Sequence, residues 1–417
     1  MGKIIPQTPP PCGSLSGLEG APPWYIAKSS AAFGLQPASR LDFSENLPSK
    51  IDRDTGEVLE VQGSSYDPAS TRLERFALQA GVRRILPKSR TAKCLRVRQA
   101  HRSEIDVFRS LEYSSAHYGG LQTCGSVWAC PVCAAKISER RSVELRAVIA
   151  AHGSTGGAVL FLTLTVPHTR RDDLGELLQA QSLAMSRFNS DRAAKRVWAD
   201  MGCVGSVRAW EVTHGRLSVK NNGWHPHFHI LIFCRSGLDL GAFEDRIYTA
   251  WVNSCRLAGL PTPNRRHGVR LEDGSRAADY AAKGLWGLDR ELTKGHIKKA
   301  KTGESPFQLL RAFVMDTDRQ AAALFREFAA AFHGRRQLFW SPGLKKRFAL
   351  DDLTDSEISA VIEDSAQLLG SIDLDQWRVI LRLELRGEIL ELARHGWEPV
   401  RRLLDSIPST FSPGASS

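Results

Sequence analysis

With 417 residues, the chain is too long for one ordinary domain and too short for three large ones. Its 42% hydrophobic and 24% charged content is that of a soluble globular protein, and its most apolar run, Ala158 to Val166, cannot cross a bilayer, so a membrane-spanning class is excluded. A net charge of +11 and a pI of about 9.4 favour an anionic partner, nucleic acid or a membrane surface.

No signal peptide follows Met1-Gly2-Lys3, so the chain reads as cytoplasmic and its eight cysteines as reduced thiols or metal ligands rather than disulfides. Residues 1–75 are rich in Pro, Ser and Gly and read as a mostly disordered arm. Residues 76–150 are basic and cysteine-rich. Cys130-Pro131-Val132-Cys133 is a knuckle whose two sulfurs suit one zinc ion, and Cys124 lies six residues before it. Cys94 is the best candidate for the fourth ligand, with His117 as the alternative; unrelated buried thiols are the plainer reading. Arg96, Arg98, Arg140 and Arg141 would present charge to phosphates beside such a zinc.

The next stretch, 151–347, alternates strand and helix signals. Ala158–Val166 is a strand by its apolar and β-branched content, stopped by Pro167. Leu174 to Trp198 shows helical spacing. Val204 to Thr213 is a second strand, followed by a polar turn region from Gly215 to Gly223 and then by Trp224-His225-Pro226-His227-Phe228-His229-Ile230-Leu231-Ile232. In an extended strand His225, His227 and His229 project from one face, while Phe228, Ile230 and Ile232 enter a core. A same-face pair of imidazoles on a rigid strand can hold a divalent metal. Solvated histidines on an ordinary amphipathic strand are the bland reading, but three at strict period two are rare by accident. The two strands are expected to form an antiparallel hairpin.

Phe243 to Ala258 is a helix, and a short strand near Val269-Arg270-Leu271 leads to a helix from about Ser275 to Leu288. That helix carries Tyr280 and Lys283, three apart and so on one face. There the cation could lower the phenol pKa from about 10 or offset charge at a phosphodiester under attack. Alone, such a pair is by default an ordinary half-buried tyrosine beside a surface lysine. Asp318 to Phe332 is a helix with Asp318 as its N-cap. Acidic and amphipathic helices fill 348–405, and 406–417 is a loose tail. Residues 351–376 hold eight acids and no Lys or Arg, so the rest of the chain exceeds the net +11 by eight positive charges. Those helices could bind a partner or pack as a solvated appendage.

Three motifs in this order carry a family resemblance: Thr163-Leu-Thr-Val-Pro-His168, His225-Pro-His-Phe-His229 and Tyr280-Ala-Ala-Lys283. The chain resembles the single-tyrosine plasmid rolling-circle replication initiators of the HUH endonuclease superfamily. The Cys124–Cys133 run resembles the cysteine region upstream of their nuclease core, and the likeness spans about Cys94 to Lys346. The resemblance implies an α+β fold: an antiparallel sheet flanked by helices, a ferredoxin-like nuclease core, with an upstream cysteine zinc module and C-terminal helices. It implies His227 and His229 as metal ligands, leaves His225 open as another, and calls for an acid or amide from the adjacent strand. Glu211 is the choice, because pairing it with His227 also pairs Thr213 with His225. Implied cofactors are a catalytic Mg²⁺ or Mn²⁺ and a structural Zn²⁺. Tyr280, aided by Lys283, would nick origin DNA, leaving a 5′-phosphotyrosyl link and a 3′-OH primer. Arg140, Arg141, Lys345 and Lys346 are the DNA-binding candidates. Host polymerase and helicase are the expected partners, a homodimer is left open, and no membrane partner is expected. Relatives carry an acid one turn before the tyrosine; here that position is Arg276, so Asp279 or Glu272 would have to substitute. A transposase or relaxase of the same superfamily, or a non-catalytic zinc-bearing DNA-binding regulator, are the competing readings.

Overall fold

A computed structural model of the protein describes residues 49–52, 57–61, 68–111, 115–274, 303–360 and 366–407, with side chains from residue 72 onward. Strands β1 (Ser49–Asp52) and β2 (Glu57–Val61) pair antiparallel, and helix α1 (Pro68–Ile85) follows. These elements begin within the first 75 residues, so the reading of that whole stretch as a disordered arm is corrected at 49–52, 57–61 and from 68. After α2 (Arg90–Lys93), strands β3 (Ile105–Ser110) and β4 (Ala116–Gly119) form an antiparallel pair.

Helix α3 (Pro131–Ser154) begins at the cysteine knuckle itself. Cys130 is its N-cap, accepting from the Cys133 N–H, and Pro131 occupies the first turn, where a missing N–H costs nothing. Strand β5 (Gly157–Leu164) follows. The single helix expected over Leu174 to Trp198 is two, α4 (Leu174–Ser190) and α5 (Arg192–Asp200). Asp191 breaks it: its backbone is extended and its carboxylate caps the Ala194 N–H.

Strands β6 (Gly205–His214) and β7 (Trp224–Arg235), helix α6 (Leu240–Leu257) and strand β8 (Val269–Asp273) fall where the sequence placed them. The helix expected over Ser275–Leu288 lies outside the described residues. Helix α7 (Pro306–Asp316) opens with a capping box between Ser305 and Gln308, and α8 (Arg319–Ala331) is capped by Asp318 as expected. Strand β9 (Leu338–Trp340) and the short helix α9 (Leu344–Arg347) complete this part.

Five strands make the central sheet, in the order β8-β5-β7-β6-β9, every neighbouring pair antiparallel. Its two faces divide by alternation. Leu160, Leu162, Trp210, Val212, Phe228, Ile230 and Ile232 enter the main core beneath α4, α6 and α8. On the opposite face Val207, Leu231 and Phe233 pack against Leu145 and Val148 of α3. That helix covers one end of the face, and the histidines occupy the other. Helices lie on an antiparallel sheet throughout, which is the expected α+β class.

The C-terminal segment is more than a set of helices. Strand β10 (Ala366–Ile372) follows helix α10 (Asp355–Ala360) and pairs with β3, making a second sheet ordered β10-β3-β4. Helices α11 (Leu374–Leu383), α12 (Arg386–Ala393) and α13 (Trp397–Ser406) cover it through Trp377, Ile380, Ile389, Leu390 and Val400. The cysteine-bearing segment and the C-terminal segment therefore share one core. No helix among the described residues is long and apolar enough to cross a membrane.

Candidate functional site

The β6–β7 hairpin takes the register expected from sequence: Glu211 opposite His227 and Thr213 opposite His225. Phe228 is anchored in the core, 1% exposed, with its ring 3.9 Å from that of Trp210. Pro226 is tolerated because pairing with β5 ends at Phe228, leaving that edge of β7 open. Its carbonyl accepts from Gln181 of α4, which ties the histidine end of the strand to the core.

The anchoring brings His227 Nε2 within 3.0 Å of His229 Nε2, and Glu211 Oε2 within 2.7 Å of His229 Nε2 and 3.6 Å of His227 Nε2. These three form one candidate metal group. The remaining nitrogens are already engaged. His227 Nδ1 lies 3.3 Å from the His225 carbonyl, which can only accept, and His229 Nδ1 lies 3.1 Å from Thr163 Oγ1 on β5. With both Nδ1 atoms protonated, three lone pairs face one another, an arrangement a cation relieves. Adjacent ligands on an octahedral ion with bonds of 2.1 Å stand about 3.0 Å apart, the scale of these separations. Burial pushes the Glu211 carboxyl up, but its contacts with His227 and His229 outweigh that and hold it well below the usual carboxylate range. Glu211 stays 42% exposed, so the group is open on one side. It fits a hard divalent ion that keeps free positions for phosphate or water.

His225 stands outside that group. Its Nδ1 lies 2.6 Å from Nε2 of His168, whose Nδ1 in turn lies 3.0 Å from the Asn222 carbonyl. The carbonyl fixes a proton on His168 Nδ1, so His168 Nε2 accepts from His225. Burial, reinforced by the neighbouring His227 and His168, pushes His225 down to about 3, and burial also lowers His168. His168 was legible only as the last residue of a motif, with no role attached.

The second cluster is closed. Cys94, Cys124, Cys130 and Cys133 are all buried, with sulfurs 3.5 Å apart for Cys94 and Cys133, 3.7 Å for Cys124 and Cys133, and 3.8 Å for Cys130 and Cys94. Disulfide sulfurs would be about 2.05 Å apart. Two thiolates held 2.3 Å from one tetrahedral ion stand about 3.8 Å apart, so the group can hold zinc. Cys94 supplies the fourth position. The alternative, His117, is turned away on β4 and stacks on Phe108 at 5.5 Å. The sulfurs are served by donors: Gln79 Nε2 to Cys130 at 3.3 Å, the Ser126 N–H to Cys124 at 3.4 Å, and Thr91 Oγ1 to Cys124 at 3.7 Å. Hydrogen bonds from the other three cysteines hold the Cys124 thiol far below its ordinary value, whereas burial pushes Cys130 up. Gln79 is itself aimed by the fully buried Arg386, which donates to its Oε1 at 2.6 Å. Neither Gln79 nor Arg386 was singled out from sequence.

The basic candidates fare differently. Arg141 is buried, bonded to Glu144, Asp355 and the Leu353 carbonyl. Arg140 meets Glu144 and Asp351, and Lys345 meets Asp352 at 3.0 Å. Arg96 is buried against Glu384. The expectation that these groups face phosphate is corrected for Arg96 and Arg141, whose charges are spent on carboxylates inside the protein; Lys346 is exposed. Tyr280, Lys283, Arg276 and Asp279 lie outside the described residues. Glu272 on β8 is paired with Arg270 at 2.8 Å.

A family model described as Replication protein, Rep_1, matches residues 120–382, a span from just after β4 into α11 that contains the triad and three of the four cysteines. The chain is 30% identical over 355 residues to "Protein rep" of Streptomyces lividans, covering 69% of this chain and 74% of that protein. It is also 30% identical over 201 residues to "Neomycin resistance protein" of Streptomyces cyanogenus, covering 39% and 44%. No solved structure matches the chain.

Proposed function

The chain belongs to the Rep_1 family of replication proteins, and from that premise we propose that it is a plasmid replication initiator of the HUH type, which nicks one strand of its origin through Tyr280. The observation that carries this reading is the convergence of Glu211, His227 and His229 on the open end of the sheet. A Mg²⁺ or Mn²⁺ held there supplies Lewis-acid polarisation of the scissile phosphate. The Tyr280 oxygen attacks phosphorus in line and yields its proton to water; the bond from phosphorus to the 3′ oxygen breaks, and that oxygen takes up a proton. The products are a 5′-phosphotyrosyl link, which keeps the bond energy for resealing, and a 3′-OH that primes a host polymerase. Lys283 stabilises charge on the phosphoryl group or on the phenolate.

The described flank after the tyrosine segment supports this placement: Gly303 lies against Thr213 Oγ1 in the hairpin that carries Glu211. The closed cysteine cluster reads as a structural zinc site. A zinc-bearing regulator without catalysis would have no use for an open three-ligand group beside a closed four-ligand one.

The test is incubation of a labelled single-stranded origin oligonucleotide with the protein and Mn²⁺. An adduct that survives detergent and maps to Tyr280 by mass spectrometry is expected, and the Tyr280→Phe variant should bind the oligonucleotide without forming it. Nicking that persists in the variant removes Tyr280 as the nucleophile. No adduct or nick from the unaltered chain with Mg²⁺ or Mn²⁺ removes the reading altogether.

A further inference from the structure

The tip of the β6–β7 hairpin exposes two apolar side chains to water, Leu217 at 71% and Val219 at 105% of full exposure. An isolated exposed leucine needs no explanation. This pair differs because the turn beneath it is braced. The Gly215 N–H donates to the Gly223 carbonyl, Ser218 to Gly215, and Asn221 to Ser218. Between them Arg216 turns inward, 6% exposed, clamping both carboxylate oxygens of Glu304 at 2.6 and 3.0 Å and reaching Asp318 at 2.5 Å. His214 and Glu304 form a two-way backbone bridge at the base. The turn is therefore fixed to α8 and to the segment before α7, with its apolar residues pointing outward.

Its surroundings are cationic. Lys220 is exposed on the tip, and exposed Arg170 and Arg171 lie on the neighbouring loop, whose backbone at Arg170 closes on Gly223. The tip is also continuous with the metal-binding strands. Gly215, directly after β6, is four residues beyond Glu211, about 13 Å at the rise of a strand. At the duplex rise of about 3.4 Å per nucleotide that distance is at most about four nucleotides, and fewer once the strand is unstacked.

We propose that the β6–β7 tip is a strand-separating wedge: Leu217 and Val219 insert between base pairs of the origin while Lys220, Arg170 and Arg171 hold the adjoining phosphates. Apolar wedges on cationic surfaces unstack DNA in this manner. A tyrosine nucleophile needs an unpaired strand, and unstacking by the wedge lowers the cost of opening one within about four nucleotides of the triad. The inference rests on the nicking reading, yet its test can fail separately.

The experiment compares the full-length chain with a Leu217→Ser/Val219→Ser variant, each also in a Tyr280→Phe background so that unpairing is read without cleavage. Permanganate reactivity of origin thymines in supercoiled plasmid reports unpairing. A loss of at least about tenfold is expected in the double variant, with a parallel loss of plasmid nicking. Cleavage of a single-stranded oligonucleotide should stay within about twofold, and a pre-melted bubble at the origin should restore nicking. Unchanged permanganate reactivity overturns the wedge. So does an equal loss on single-stranded substrate, which would make the tip a general contact, or a defect confined to cells, which would make it a protein-docking site. If the unaltered chain cleaves no single strand, the nicking reading fails while the permanganate comparison still decides the wedge.

Discussion

The two candidate metal groups are built by opposite rules. The cysteine cluster draws ligands from α2's end, from the loop before α3 and from α3's first turn, buries all of them and could complete a tetrahedron around one ion. The imidazole–carboxylate group draws its ligands from two adjacent strands, leaves Glu211 42% exposed and could fill only one side of an octahedral ion. A closed site stabilises the fold around it, whereas an open one reserves positions for a reactant. The surrounding layers agree. Around the thiols, donors and the buried Arg386 hold sulfur in place; around the imidazoles, a carbonyl fixes the His227 tautomer and a hydroxyl positions the His229 ring. Mutating each group should therefore damage different properties.

The largest effects come from the ligands themselves. Cys130→Ser should lose bound zinc, measured by metal analysis, and cost on the order of 5 kcal/mol or more in denaturant unfolding. His227→Ala/His229→Ala should leave unfolding nearly unchanged and lower nicking by on the order of 10³-fold. If the histidine variant unfolds as early as the cysteine one, the contrast between the two sites collapses.

One layer out, Thr163→Val removes the hydroxyl beside His229 Nδ1. It should weaken Mn²⁺ affinity by about 10- to 100-fold in a calorimetric titration, with little change in thermal midpoint. An unchanged affinity would mean that ring orientation is set by packing against Phe161, stacked at 4.8 Å, and not by the hydroxyl.

The hairpin and its metal face were legible because strand alternation makes register and burial the same fact. Once Phe228 and Ile230 must enter the core, His227 and His229 must share the other face, and Glu211 becomes the acid opposite. Cys94 was legible as the thiol left over near the knuckle. Pairings between distant segments were not. Strand β10 joins β3, where Ser371 bonds Asp106 across 265 positions, and no local pattern announces such a ladder. The fate of Arg141 was hidden for the same reason, since Asp355 lies 214 positions away. Asp191 illustrates a local ambiguity: an acid within a helical pattern can sit on the solvent face or end one helix and cap the next.

A pH titration sharpens the contrast further. Burial first, and then Arg216, pushes His214 at the hairpin's end down to about 4, while an unfolded histidine titrates near 6.5. Between those values the unfolded chain binds more protons, so stability should fall as pH drops from about 6.5 to 4 and level off below. Urea midpoints across this range should lose part of that slope in His214→Asn, whose amide oxygen can still accept the Arg216 N–H. A slope identical to that of the unaltered chain would place the proton uptake elsewhere, with His225 the next group to replace.

The smallest expected effect concerns the charge between the two sites. Asp351 and Asp352 sit on Arg140 and Lys345, so the acidic segment occupies cations that could otherwise meet phosphate. Asp351→Asn/Asp352→Asn should take one carboxylate from each of Arg140 and Lys345, which keep Glu144, while leaving the buried Arg141–Glu144–Asp355 set intact. Non-specific DNA binding should tighten about threefold, and the slope of log affinity against log salt should steepen by about one. A steeper slope would show the acids competing with DNA for the same cations. An unaltered slope would assign those ion pairs to holding the segment before α10 against α3, and would shift the search for phosphate contacts to Lys346 and the arginines beside the hairpin tip.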